Sequence, residues 1–374
     1  MANGQTSRDA RWFAERMPAR EVLDDVLQGD PVSRLLGIAR DRAVVNIGLD
    51  VRPRTNADEA AVAASLALAT AAAKRIAQQG ASATLTQDEQ DALDLFILLV
   101  SRPALFVRDG RVADRPENWP ELARDEDLFP RVIAGVGRIE TSARVKMGTG
   151  FLVAQRRVLT NNHVVCALLG LSLRHWIDHA ADFAQRCTAA NEQWSETPDA
   201  APYIELYGEL GSTTSATARL TKLLAHHADV DLALFETDAN PAGSRVLPLT
   251  TSEPDTFVGR RVYAVGYPIE DSRNLWGQKI TPVPVFRRVF GIDEESLGTK
   301  RFSPGTILGW ENTNVFTHDA STLPGSSGSC IVDFENRRVV GLHFGGGYAK
   351  RNFAVSIWKM KEDPVLVSNG VRFD

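Results

Sequence analysis

The spacing of apolar and polar positions changes once along the chain and divides it in two. Up to about Ser101 the pattern is helical. One helix is predicted over 9–27. A second, over 59–79, is rich in strong helix formers, with Thr55 and Asn56 offering an N-cap and Gly80 standing where a terminating glycine belongs. Thr86-Gln87-Asp88-Glu89 forms a capping box ahead of the apolar run 93–100. A short strand is predicted at 46–54. From Val132 onward the period shifts towards two, with short strands predicted at 132–139, 149–153, 157–160, 203–206, 217–224, 231–235, 261–265, 280–290, 330–332, 339–344 and 353–357. Gly, Pro and Asp turns separate them, which indicates a β-barrel or sandwich rather than a parallel α/β sheet. One helical insertion, 165–190, interrupts the series. No internal repeat is present at solenoid periods.

Between the halves, 102–129 carries Pro103, Pro116 and Pro120 among many charges, with Phe106, Trp119 and Phe129 as spaced aromatic anchors. This reads as a surface linker or a wrap around the next domain. The expected organisation is a helical domain at 1–101, the linker at 102–129 and a β-rich domain at 130–374.

Composition narrows the classes. The 374 residues are 44% hydrophobic and 24% charged, with a net charge of −5, the balance of an ordinary globular protein of about two domains. Disorder, collagen-like repeats and disulfide scaffolds are excluded, and nothing marks nucleic acid or an acidic membrane as a partner. Three cysteines are too few and too odd for a disulfide framework, so free thiols are expected. The first twenty residues lack the apolar core of a secretory signal. The alanine-rich run 60–73 is too short to cross a bilayer. A cytoplasmic location is the expectation.

Three stretches carry chemistry. Gly148-Thr-Gly-Phe-Leu-Val leads, after a short turn, into Leu159-Thr-Asn-Asn-His163. Asp229-Val-Asp231 precedes Leu-Ala-Leu-Phe. Leu323-Pro-Gly-Ser-Ser327-Gly-Ser is followed by Gly341-Leu-His343-Phe-Gly-Gly. Nucleophilic acyl transfer needs these residue types: a serine hydroxyl, an imidazole to take its proton, a carboxylate to hold the imidazole, and backbone donors for the oxyanion. Gly325 and Gly328 flank Ser327 and permit a tight turn. The order His163, Asp231, Ser327 is opposite to that of α/β-hydrolases, and Ser329 occupies the place of the last glycine of a nucleophile elbow.

These stretches resemble the trypsin-like serine peptidases of bacteria, in the branch that contains the glutamyl endopeptidases. The resemblance covers roughly 130–360. It implies two packed six-stranded antiparallel barrels, a chymotrypsin-like fold, with a mainly α N-terminal domain outside it. It also implies catalysis by His163, Asp231 and Ser327, with the backbone N–H groups of Gly325 and Ser327 as the oxyanion hole. The segment from His343 through Phe344, Gly345 and Gly346 then borders the substrate cleft. Protein or peptide substrates follow, with no cofactor and no metal.

The chain also departs from that pattern. Six residues before the nucleophile stands Ser321, so no carboxylate awaits a cationic side chain. Thr322 and His343 match pocket positions of the glutamyl endopeptidases, and a hydroxyl and an imidazole suit a substrate carboxylate. Preference for Glu or Asp is therefore favoured, with a pocket for small or apolar residues as the competing reading. Ser326 replaces the Asp that pairs with a freshly cut N-terminus in secreted digestive relatives, so that activation switch has no partner here.

Other chemistry-bearing residues read as ordinary structure. His175 and His179 have metal-compatible spacing but no third ligand, His226-His227 belong to a loop, and Asp229 is a solvated turn carboxylate. Cys330 is a buried small hydrophobe. The leading function is a serine endopeptidase with a regulatory role, through a protein partner, for residues 1–101. The alternative is a catalytically silent binding or scaffold protein on a protease fold.

Overall fold

The computed structural model describes residues 10–14, 17–18, 20–38, 56–268, 298–322, 324–347 and 351–374. The strands predicted over 46–54 and 280–290 lie outside them. Two compact units divide the chain, one built on Met1–Pro103 with Asp114–Pro120, the other holding the β-rich part.

The first unit is helical. Where one helix is predicted over 9–27 there are two, α1 (Ala10–Ala14) and α2 (Arg20–Leu27), with Pro18 falling between them. Proline lacks an N–H and clashes with the preceding turn, which ends a helix. Helix α3 (31–38) follows, then α4 (Asn56–Gln79), which stops at Gly80 with φ +60°. Helix α5 (Gln87–Val100) starts in the expected capping box, Thr86 Oγ1 accepting from Glu89 N while Glu89 reaches back to Thr86 N. Leu66, Ala69, Ala72 and Ala73 of α4 are buried, as are Leu93 and Phe96 of α5. Arg75 clamps the two helices by a 2.8 Å pair to Glu89, which holds that carboxyl below its usual range. Trp119 is buried in this unit and donates its indole N–H to Ser101 O at 2.8 Å.

The second unit begins within 102–129. Strands β1 (Leu105–Arg108) and β2 (Arg111–Val112) form a hairpin, followed by α6 (Glu121–Arg124) and α7 (Phe129–Ile133). Because Pro130 starts a helix rather than a strand, the strand expected at 132 begins later, as β3 (Val136–Glu140). β3 joins β4 (Lys146–Ala154), β5 (Arg157–Thr160), β6 (Tyr203–Glu205), β7 (Thr217–His226) and β8 (Ala233–Thr237) in a closed antiparallel barrel of cyclic order β3-β4-β5-β8-β7-β6. The predicted insertion is three helices, α8 (Asn162–Leu168), α9 (His175–Asp178) and α10 (Ala180–Glu196). Phe183, Cys187, Ala190 and Trp194 of α10 enter the core of this barrel beside Leu152, Leu220 and Phe235.

A second barrel is made of β9 (Arg261–Gly266), β10 (Arg301–Asn312), β11 (Val315–His318), β12 (Cys330–Asp333), β13 (Val339–Gly347) and β14 (Arg351–Ser356), and the β10–β11 pairing closes it. β1 adds to its β10 side, Leu105 opposite Phe302. Sequence reading missed β10 and β11, since Pro304, Gly305 and Gly309 punctuate β10 like a loop. Gly305 is required there: a Cβ would lie 2.4 Å from Ala320 N. Short helix α11 (Pro364–Ser368) ends the fold, capped by Asp363.

Candidate active site

Helix α8 carries His163 one residue past its start, directly after β5. Two buried asparagines fix that start against the segment before β8. Asn161 donates to Asp231 O at 2.7 Å, and Asn162 to His227 O and Val230 O at 2.8 and 3.2 Å. Asp231 answers with both carboxylate oxygens. Oδ2 lies 2.6 Å from His163 Nδ1, and Oδ1 accepts the His163 backbone N–H at 3.0 Å. A carboxylate so placed holds the proton on Nδ1 and leaves Nε2 as the basic nitrogen. His227 Nδ1 accepts the N–H groups of Asp229 and Val230, shaping the approach to Asp231, while its Nε2 lies 3.3 Å from Asp363 Oδ2. Asp229 is exposed and makes no contact with His163 among the described residues.

The Ser327 turn is shaped by two glycines in the left-handed region, Gly325 at φ +95° and Gly328 at φ +91°. A Cβ on Gly328 would lie 1.8 Å from Thr149 O, so only glycine fits. Thr149 of β4 pins the turn to the first barrel. Its N–H donates to Ser327 O at 2.8 Å, its hydroxyl donates to Gly325 O at 2.9 Å, and that same oxygen accepts Tyr267 N at 3.0 Å. On the other side Gly328 N donates to His343 O and His343 N to Ser329 O. The Ser327 hydroxyl points to Phe344 O at 3.5 Å, and among the described residues it makes no hydrogen bond with His163. The N–H groups of Gly325 and Ser327 have no acceptor among the described residues.

Beside the turn, β13 carries His343, Phe344, Gly345 and Gly346, and Asn352 of the paired β14 donates Nδ2–H to Ala320 O at 2.6 Å, next to Ser321 and Thr322. A bulge between His343 and Gly345 interrupts the β13–β14 register. The His343 ring is almost wholly buried, and burial holds it well below the ordinary histidine value, reinforced by the nearby His318 and His163 and opposed by the Phe353 carbonyl. His318, on the strand that sequence reading missed, places Nε2 3.2 Å from His343 Nδ1. Burial pushes His318 down to about 3. The pair is therefore neutral near pH 7, and the Phe353 carbonyl accepts the remaining ring N–H of His343.

The remaining sequence candidates fall outside the cleft. His175 Nε2 lies 2.7 Å from Asp182 Oδ2, and no metal-competent group of three His, Cys, Asp or Glu exists among the described residues. His226 stacks edge-on against Phe183. Cys166, Cys187 and Cys330 are buried free thiols, pushed up to about 11, 12 and 12 by burial. Thr149, Asn161 and Asn162 stand in the same motif as His163, but their long-range bonds leave no mark in the sequence.

Two closed six-stranded antiparallel barrels, with these elements at their junction, define the chymotrypsin-like fold. The trypsin-like peptidase domain matches residues 148–342, just over half of the chain, and the protein belongs to that family. No curated protein matches it. Among solved structures, an inactive form of the Rv3671c protease of M. tuberculosis aligns at 17% identity over 68% of this chain and 93% of its own, with a TM-score of 0.37. Deg5 aligns at 17% identity over 69% and 99%, TM-score 0.42. A serine endoprotease from Yersinia pestis aligns at 16% identity over 68% and 69%, TM-score 0.40. Among the described residues no helix is long and apolar enough to cross a membrane.

Proposed function

We propose that the chain is a serine endopeptidase in which Ser327 attacks the scissile carbonyl, His163 takes and returns the proton, and Asp231 orients the imidazole. The observation that carries this is the double grip of Asp231 on His163, ring at 2.6 Å and backbone at 3.0 Å. A carboxylate held this way both selects the tautomer and stabilises the imidazolium that forms in the transition state. The Ser327 hydroxyl makes only a long 3.5 Å contact with Phe344 O, and catalytic hydrogen bonds commonly tighten only once substrate is bound. The N–H groups of Gly325 and Ser327, without an acceptor among the described residues, are the oxyanion donors, and His343 to Gly346 pair with the substrate backbone as an added strand.

The residue before the scissile bond is acidic in this reading. Ser321 supplies no negative charge and Thr322 supplies a hydroxyl donor, beside the neutral, buried His343 ring. Because the other ring nitrogen of His343 donates to the Phe353 carbonyl, His343 Nδ1 is left to accept Nε2–H of His318. Three buried unpaired thiols fit a reducing cytoplasmic location. The helical unit at 1–101 serves regulation through a protein partner.

A second reading has one observation in its favour, the Ser327 hydroxyl engaged with Phe344 rather than His163. In it the barrels display a peptide groove without turnover. Cleavage of a peptide library by the full chain, with Ser327→Ala as the blank, separates the two. Turnover lowered about 10⁶-fold by the substitution supports the peptidase. Binding without cleavage by either protein supports the silent scaffold.

A further inference from the structure

Asp231 stands near the end of a loop that closes on itself. His227 N donates to Leu232 O at 2.9 Å, which fastens the two ends, and Leu232 N turns back to Val230 O at 2.8 Å. Three carbonyls of the loop are taken by the start of α8, His227 O and Val230 O by Asn162 and Asp231 O by Asn161. Its N–H groups at Asp229 and Val230 have a different acceptor, the His227 ring, whose Nδ1 receives both at 3.0 and 3.2 Å. That role fixes the tautomer. A ring nitrogen that accepts two N–H groups carries no proton, so the neutral ring is protonated on Nε2. Nε2 lies 3.3 Å from Asp363 Oδ2, and a carboxylate there favours a proton on that nitrogen. Asp363 is held in turn, because its Oδ1 accepts the N–H groups of Val365 and Leu366 at the start of α11. A line of contacts thus runs from the cap of α11 through His227 to the loop that carries Asp231.

We propose that His227 is a positioning residue for the triad: in the Nε2–H tautomer, selected by Asp363, it holds the segment 229–231 so that Asp231 keeps both of its contacts with His163. This rests on the reading of Ser327, His163 and Asp231 as a peptidase triad. Without the Nδ1 acceptor, the N–H groups of Asp229 and Val230 turn away to find water, and the main chain that bears Asp231 moves with them. Asp231 has two bonds to keep at once, 2.6 Å to the His163 ring and 3.0 Å to its backbone, so a small displacement loosens at least one. Small misplacements of catalytic groups cost large factors in rate.

Kinetics and proton NMR of the full-length chain test this together. The His163 Nδ1 proton, held by Asp231 in a short charge-assisted hydrogen bond, resonates far downfield of the amide protons and reports the pair without substrate. In His227→Ala the expected result is kcat lowered about tenfold to a hundredfold with KM within about twofold, and the downfield resonance broadened or lost. His227→Asn restores most of both, because an asparagine oxygen accepts N–H groups two and three residues on. Asp363→Asn keeps a capping side chain but withdraws the carboxylate from Nε2. It lowers kcat severalfold in the parent and changes nothing further on top of His227→Asn. A folded His227→Ala with parental kcat and resonance overturns the proposal, and so does a loss that asparagine fails to repair, which would make the ring a packing group. Should His227→Ala not fold, Asp363→Asn decides by the same two readouts, and parental values for both overturn the proposal. A parent that cleaves no peptide, yet shows the resonance, loses it in His227→Ala and regains it in His227→Asn, would sink the peptidase reading and leave the positioning role intact.

Discussion

His318 and His343 face each other across 3.2 Å, Nε2 to Nδ1, with both rings sealed from water. Burial keeps both neutral in the fold, His318 down to about 3 and His343 well below its ordinary value, whereas the unfolded chain protonates each near 6.5. Below pH 6.5 the unfolded state therefore binds more protons, and stability falls as the pH drops from 6.5 towards 3. Denaturant titrations across that range should show this acid lability. In His318→Leu the slope of stability against pH should shrink by about one proton. An unaltered slope would mean that His318 is not buried as a neutral ring.

Asp231→Asn should keep the fold and lower kcat by about 10⁴-fold, because an amide no longer enforces the Nδ1–H tautomer. Asp229→Asn should leave kcat within twofold of the parent, since Asp229 is exposed and apart from His163. Comparable losses in both variants would remove the assignment of roles between the two carboxylates.

Thr149 joins the barrels through one hydroxyl, donating to Gly325 O and accepting from Tyr267 N. Thr149→Val leaves both of those backbone groups without a partner and should cost about 1–3 kcal/mol. Because Gly325 is freed to shift, kcat should fall with little change in KM. A loss of stability alone, with kcat untouched, would make the threonine a strut and nothing more.

Lys300 is wholly buried between the barrels, bonded to Ile133 O at 2.8 Å, Leu206 O at 2.6 Å and Glu209 at 3.4 Å. Burial lowers it to about 8, so folding disfavours its charge and stability should rise as pH climbs from about 8 to the ordinary lysine range near 10.5. Lys300→Met removes that rise. It also strands the Glu209 carboxylate, at a cost of about 3–5 kcal/mol near neutrality, readable by chemical denaturation.

How far the site was legible follows from where its information lies. His163, Asp231 and Ser327 announce themselves through local neighbours, and the Thr86–Glu89 capping box is equally local. His318 could not be placed, because Pro304, Gly305 and Gly309 obscure β10, and the four-residue β11 that carries it is legible only as the partner of β10 and β14. Asn352 means nothing without the register that sets it opposite Gly346. The break at Pro18 and the late start of β3 were local signals outweighed by apolar pattern. Long-range pairing, rather than propensity, carried what the sequence pattern did not.

The most direct measurement is stoichiometric labelling of the full-length chain with a fluorophosphonate, with the adduct located by mass spectrometry. The reagent phosphonylates an activated serine and releases fluoride, so it reads nucleophilicity without assuming a substrate. One equivalent on the peptide containing Ser327, at a rate cut at least a hundredfold in His163→Ala, is the expected result for general-base activation. A folded parent that takes up no label, or labels at the same rate without His163, would contradict a catalytic Ser327.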